Sequence, residues 1–267
     1  MKRGVGFIGG KSGQVTIFII IAIIIVAVVV GFFFISPRLG TSDSGASFNE
    51  ENPRGFMQNC LGDNFKETVE LISLHGGSVE PTNYVLYEDN FVNYLCYTSE
   101  DYTTCVVQQP LLKRHVESDI KGAMTTKVNE CFSSLQENYE NENYNVVLTP
   151  GDVSAELLPN KITLSMSHVL TATKGSTQRV EDFSIVLNNN LYELLGIANS
   201  IVDWESTYGD SETTIYTSSY RQFKVEKKYG ANESKIYILT DINTLDKFQF
   251  ASRSLPLPSD YGEVAIF

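Results

Sequence analysis

Apolar and polar positions follow three different rhythms along this chain. The first is an unbroken run. From Ile17 to Ile35 there are nineteen residues with no charge, proline or strongly polar side chain. As a helix they span about 28 Å, close to the roughly 30 Å hydrocarbon core of a bilayer. A secretory signal has a shorter apolar region of about 7–15 residues and a small-residue cleavage site. Here the run ends in Phe32-Phe33-Phe34-Ile35-Ser36-Pro37, with no A-x-A pattern. No soluble helix needs so many apolar residues on every face. The pattern predicts a transmembrane helix over 14–36. It meets the lipid bilayer through 17–35, and copies of the chain can pair along it as a homo-oligomer.

The second rhythm is helical and appears three times. In 56–75, Met57, Leu61, Phe65, Val69 and Ile72 recur at three- and four-residue steps. In 110–137, Leu112, Val116, Ile120, Met124, Val128, Cys131 and Leu135 form a long stripe after Pro110, a good first-turn residue. In 190–205 the stripe is Leu191, Leu194, Leu195, Ala198, Ile201 and Val202, with Asn188–Asn190 supplying a cap.

The third rhythm is that of strands. Residues 91–97 (FVNYLCY) and 103–109 (TTCVVQQ) flank a polar turn at 99–102 and read as a hairpin. Further strands are predicted at 144–148, 161–172, 181–187, 220–227, 235–240 and 247–252. Residues 36–55 (SPRLGTSDSGASFNEENPRG) lack bulky apolar positions and read as a flexible linker over 37–55. The expected fold class is therefore α+β. A cytoplasmic basic N-terminus (1–13) precedes the anchor. A helix–hairpin–helix part (56–138) and a β-rich part with one helix (139–267) follow the linker.

Charge sets the orientation. Lys2, Arg3 and Lys11 precede the apolar run and only Arg38 follows closely, which puts the N-terminus in the cytoplasm. All 32 acidic residues lie beyond residue 39, against 16 of the 20 Lys and Arg, so the exterior part carries about −16. That surface disfavours nucleic acid, which needs a positive footprint. It also repels anionic headgroups.

The four cysteines, Cys60, Cys96, Cys105 and Cys131, all fall in the exterior part. An even number in an oxidising compartment implies disulfides, with three connectivities to choose among. Geometry favours one. Cys96 and Cys105 sit symmetrically about the hairpin turn. Cys60 opens the first helix and Cys131 lies near the end of the long one, so antiparallel helices bring those two together. A four-thiolate metal site is the alternative, but the CxxC spacing of structural zinc is missing.

Candidate chemistry is sparse. His75 stands in a last helical turn before Gly76-Gly77, His115 lies on the polar side of the long helix, and His168 sits in a predicted strand. A Ser167–His168 pair would need both side chains on one face, whereas adjacent strand residues point oppositely. Asp241 and Asp246 flank a turn but lack the glycine and spacing of a calcium loop. No phosphate-binding loop, HExxH or nucleophile elbow is present. The expectation is no enzyme, no cofactor and no metal. The most suggestive surface is aromatic: Tyr84, Tyr87, Phe91, Tyr94, Tyr97 and Tyr102 fall within nineteen residues. Tyrosines on a hairpin can stack on sugars or grip a peptide, or half of them can pack inward against the helices. Asn232-Glu-Ser234 is the one N-glycosylation sequon.

Gln14-Val-Thr-Ile-Phe18, running into an isoleucine-rich span, resembles the N-terminal anchor of a group of archaeal single-pass surface proteins. In that group an early cysteine opens a helix that ends in a Gly-Gly turn, here Cys60 through Gly77. A second helix carries a later cysteine, here Cys131, and a β-rich part leads into a short helix, here 191–205. The resemblance implies a surface protein and carries no activity. Lys11-Ser-Gly13 before Gln14 and Thr16 also looks like an archaeal class III signal peptide, which in type IV pilins is cut between the positions of Gly13 and Gln14. Thr16 stands for the usual Ser and Phe18 for the hallmark Glu, and Pro37 interrupts the spine that a pilin continues into its head. The expected function is thus a membrane-anchored cell-surface protein. Its exterior domain would bind, adhere or assemble with other surface proteins or glycans. A pilin-like filament subunit is the first alternative and an extracytoplasmic hydrolase the second.

Overall fold

The computed structural model describes residues 49–256. The basic N-terminus, the predicted anchor, Gly13, Gln14 and the linker as far as residue 48 lie outside the described residues.

Helix α1 (Pro53–Leu74) begins where Asn52 Oδ1 accepts from the Gly55 amide at 2.9 Å and Pro53 fills the first turn. The sequence places the linker as far as residue 55. Pro53, Arg54 and Gly55 are helical instead, because the Asn–Pro pair is a start signal as well as a breaker. The whole predicted stripe of α1 is buried. Gly76 and Gly77 end the helix at φ +71° and +96°, conformations open to glycine. Strand β1 (Tyr84–Tyr87) follows, then β2 (Asn90–Tyr97) and β3 (Val106–Val107). Helix α2 (Leu112–Asn141) buries all seven residues of its predicted stripe.

Next come β4 (Asn145–Thr149), β5 (Val153–Leu158), β6 (Lys161–Met166), β7 (Val169–Lys174), β8 (Ser176–Val180) and β9 (Phe183–Asn188). They form two three-stranded antiparallel sheets, β4-β7-β8 and β5-β6-β9. In each sheet the central strand comes from the same stretch, 161–174. The structure is a three-stranded meander whose strands all bend at one level, near Gly151, Ser167–His168 and Glu181–Asp182. The single strand predicted at 161–172 is divided there. Alternation runs straight through the bend, so the pattern of burial does not reveal it.

Helix α3 (Leu191–Tyr208) buries its predicted stripe and stops at Gly209, φ +83°. Helix α4 (Thr213–Ser219) has no counterpart in the periodicity. Strands β10 (Phe223–Tyr229), β11 (Lys235–Asp241) and β12 (Lys247–Arg253) complete a six-stranded sheet in the order β1-β2-β12-β11-β10, with β3 also on β2. β12 and β2 are parallel and the other pairs antiparallel.

The predicted hairpin is corrected in part. β2 meets β3 only at Cys96↔Val107 and Tyr97↔Val106. Its longer partner is β1, through a two-residue turn at Glu88-Asp89 with φ +46° and +64°. Those angles give the twist a tight hairpin needs.

The fold is mixed α+β and is braced by two disulfides. Cys60–Cys131 ties α1 to α2 with Cα atoms 6.1 Å apart, and Cys96–Cys105 ties β2 to the stretch before β3 at 5.3 Å. One hydrophobic cluster takes residues from α1, α2, α3, the bent meander and one face of the large sheet. A smaller cluster of Val85, Val92, Tyr94, Ile236 and Ala251 covers the other face of that sheet.

Candidate functional site

The helical hairpin α3–α4 encloses the groove of most interest. Ser200, Trp204 and Tyr208 recur every four residues along α3, on the side away from its buried stripe. Ile215, Tyr216 and Ser219 face them from α4 and Tyr220 from just past its end, and Asp210 and Glu212 line the connection. The groove holds about 370 Å³. Trp204, the one tryptophan of the chain, is 46% exposed, Tyr208 63%, Tyr220 53% and Ile215 55%. Trp204 and Tyr208 lie with ring centroids 4.8 Å apart. Aromatic rings left in water beside one another mark recognition surfaces more often than cores. The periodic stripe of α3 marks its apolar side only. The signal for the groove was Ser200-Trp204-Tyr208 on the opposite side, together with the Tyr216 and Tyr220 that follow.

A buried charge network adjoins the groove through Asp210. Glu205 is fully buried and Lys235 nearly so, with Nζ 2.9 Å from Glu205 Oε2. Tyr237 donates its hydroxyl to Glu205 Oε1, Ser252 donates to Oε2 at 2.9 Å, and the Ser211 amide donates to Oε1 at 3.2 Å. Lys235 also donates to the Gly209 carbonyl and to Asp210 Oδ1 at 3.1 Å. Lys227 holds both Asp210 oxygens, at 2.9 and 3.0 Å, and the Ser211 carbonyl. Burial works against ionisation of Asp210, but the two ammonium groups prevail and keep its carboxyl below the ordinary range. Burial and the Glu205 charge push the Tyr237 phenol far up, so it is a fixed donor. The Ser211 hydroxyl is buried without a partner.

The predicted tyrosine surface is divided. Tyr84 and Tyr102 are exposed, and Tyr84 stands edge-on to Phe91 at 4.8 Å beside His75. Tyr94 is buried and its hydroxyl meets Ser234 Oγ at 2.6 Å, while Tyr87 and Tyr97 pack around the smaller cluster. These three lie on the face of the sheet away from the large core, not against the helices. Tyr97 and Tyr94 touch edge to face at 4.9 Å.

The histidines are dispersed. His75 Nδ1 lies 3.0 Å from the Val79 carbonyl. His115 Nε2 lies 2.8 Å from Ser78 Oγ, a serine only 6% exposed that also accepts from Asn93 at 3.4 Å. His168 is 2% exposed and stacks flat on Phe132 at 4.2 Å, with its Nδ1 unpartnered. Burial lowers its pKa below the ordinary histidine value. Ser167 points the other way, to solvent.

The carboxylates of Asp241 and Asp246 are occupied by donors. Asp241 accepts from the amides of Asn243 and Thr244 and from the Asn190 side chain. Asp246 accepts from Asn189 Nδ2, the Asn190 amide and Thr244 Oγ1. Together they tie the β11–β12 turn to the start of α3. Among the described residues no group of three or more His, Cys, Asp or Glu side chains could hold a metal ion.

Asn232 is exposed at φ +54°, but the sequon serine, Ser234, is fully buried against Tyr94. No described helix is long and apolar enough to cross a membrane, and the run predicted to do so lies outside the described residues. No family model, no curated protein and no solved structure matches this chain.

Proposed function

We propose that this protein is an extracytoplasmic binding domain held at the membrane by its N-terminal apolar segment. It would work in adhesion or in assembly with other surface molecules. The observation that carries the reading is the groove between α3 and α4. It exposes the chain's one tryptophan beside two tyrosines, on a body cross-linked by two disulfides. Disulfides persist in oxidising compartments, which supports a body outside the cytoplasm. The apolar run of 17–35 and the basic residues before it support an anchor with its N-terminus inside. The groove replaces the tyrosine hairpin as the preferred contact surface, because Tyr94 is spent on packing and Tyr87 and Tyr97 pack around the smaller cluster.

The experiment is an intact mass of the chain purified from native membranes, with alkylation before and after reduction, together with N-terminal sequencing. An uncut N-terminus and four thiols that react only after reduction fit the proposal. A chain that begins at Gln14 favours a pilin-like subunit, and four thiols free from the start contradict the compartment.

The Ser78–His115 contact is the one observation that favours a hydrolase. A serine must be reachable to act as a nucleophile, and Ser78 is nearly buried. A fluorophosphonate probe that labels Ser78 in the native protein would move the assignment to that class.

A further inference from the structure

The rim of the groove names the chemistry of its occupant. Its lining carries two carboxylates, Asp210 and Glu212, and no lysine or arginine. The two are not equivalent. Asp210 is paired with Lys227 and Lys235, and Lys235 also pairs with Glu205, so those four charges sum to zero. Glu212 has no ion pair among the described residues. It caps α4 by accepting from the Thr214 amide and hydroxyl, both on Oε1 at 3.0 Å. Its Oε2 has no hydrogen bond among the described residues. The donors from Thr214 hold the carboxyl below its ordinary range, so it is charged at neutral pH. A fixed anion thus stands at the end of a row of exposed aromatic faces.

Resting on the groove as the binding site, we propose that it receives an arginine side chain from a partner protein. The guanidinium would stack on Trp204 and Tyr220, with its fork on Glu212. A guanidinium is planar and weakly hydrated, stacks on aromatic rings and pairs with a carboxylate through two parallel bonds. A neutral sugar would use the rings but not the unmatched charge. A second copy of this chain is a poor occupant, since two exteriors of about −16 repel each other. A basic partner is drawn toward the same surface.

The single tryptophan makes the test specific to the site. The full-length chain in a polyoxyethylene detergent is titrated with acetyl-Gly-Arg-Gly-amide and with its citrulline analogue while Trp204 fluorescence is followed. Citrulline keeps the shape and removes the charge. The expected result is a saturable change that is about tenfold weaker with citrulline. Glu212→Gln is expected to abolish that difference, and Tyr220→Ala to weaken both peptides. Equal binding of the two peptides overturns the proposal. A Trp204 response to maltose or N-acetylglucosamine without one to the arginine peptide also overturns it, but leaves the groove standing as a binding site. No response to any of these probes overturns both readings.

Discussion

Glu205 is the residue on which the most polar structure depends. It sits one position after Trp204, inside the core, and accepts from Lys235, Tyr237, Ser252 and Ser211. Removing one partner of a buried pair leaves the other charge unmatched, which costs about 3–5 kcal/mol. We expect Glu205→Ala to lower unfolding stability by about 4 kcal/mol in urea. Replacing Lys235 with methionine in the same chain should restore part of that loss. A loss below about 1 kcal/mol would mean that the network is not formed.

His168 gives a second test at the same scale. Burial keeps its imidazole neutral in the folded chain, while in the unfolded chain it takes up a proton near pH 6.5. Protons therefore bind the unfolded state preferentially as pH falls through that value, and stability drops. Asp210, Glu212 and Glu226 act in another window. Their carboxyls are held low, so their contribution is present above about pH 4 and is lost below it. His168→Leu should flatten the stability profile between about pH 7 and 5 and leave the acid limb in place. An unchanged upper limb would show that another group is responsible.

At the scale of elements, the bend in the meander and the two cross-links decide the shape. A Cβ on Gly151 would lie 2.2 Å from the Ser167 carbonyl oxygen, which is backbone and cannot step aside. Gly151→Ala is expected to cost about 3 kcal/mol and to lower the melting temperature. A melting temperature within about a degree of the parent's would show that the strands do not approach so closely. Cys60→Ser with Cys131→Ser opens the longer loop, for which chain entropy gives about 4 kcal/mol, against nearer 3 for the hairpin pair, by roughly the same reasoning.

The three long helices were legible in the sequence because their stripes are long and each stripe position is buried. The Cys60–Cys131 pairing was legible because it followed from the first two of those helices, and Cys96–Cys105 because both flank one short polar turn. The β1–β2 turn was not, since Glu88 and Asp89 adopt positive φ where Asn-Gly would be the readable signal. Helix α4 was hidden by its short, β-branched sequence, TTIYTSS. The groove depended on α4, so it was hidden too. The role of Glu205 was illegible for a different reason. Its side-chain partners Lys235, Tyr237 and Ser252 lie 30 or more residues away on β11 and β12, and no local pattern marks them.

At the scale of the whole molecule, the proposed arrangement, an exterior body on an N-terminal anchor, rests on acidic charge, cross-links and an apolar N-terminal segment. Beyond residue 39 the chain carries all 32 acidic residues against 16 Lys and Arg, a balance that favours hydration and disfavours anionic lipid. The described body enters α1 at Pro53, and Glu50 is held there by the hydroxyls of Tyr139 and Tyr144, both at 2.7 Å. Glu50 is therefore tied to the end of α2 just before α1 begins. The most direct test of an outward-facing body on an inward-facing anchor uses a single surface cysteine. Ser176, exposed at the β7–β8 turn, is changed to cysteine, and intact cells are treated with a membrane-impermeant maleimide. Labelling of intact cells, at the level reached after lysis, is the expected result. Labelling only after lysis would place the body in the cytoplasm and contradict both the anchor's orientation and the compartment inferred from the disulfides.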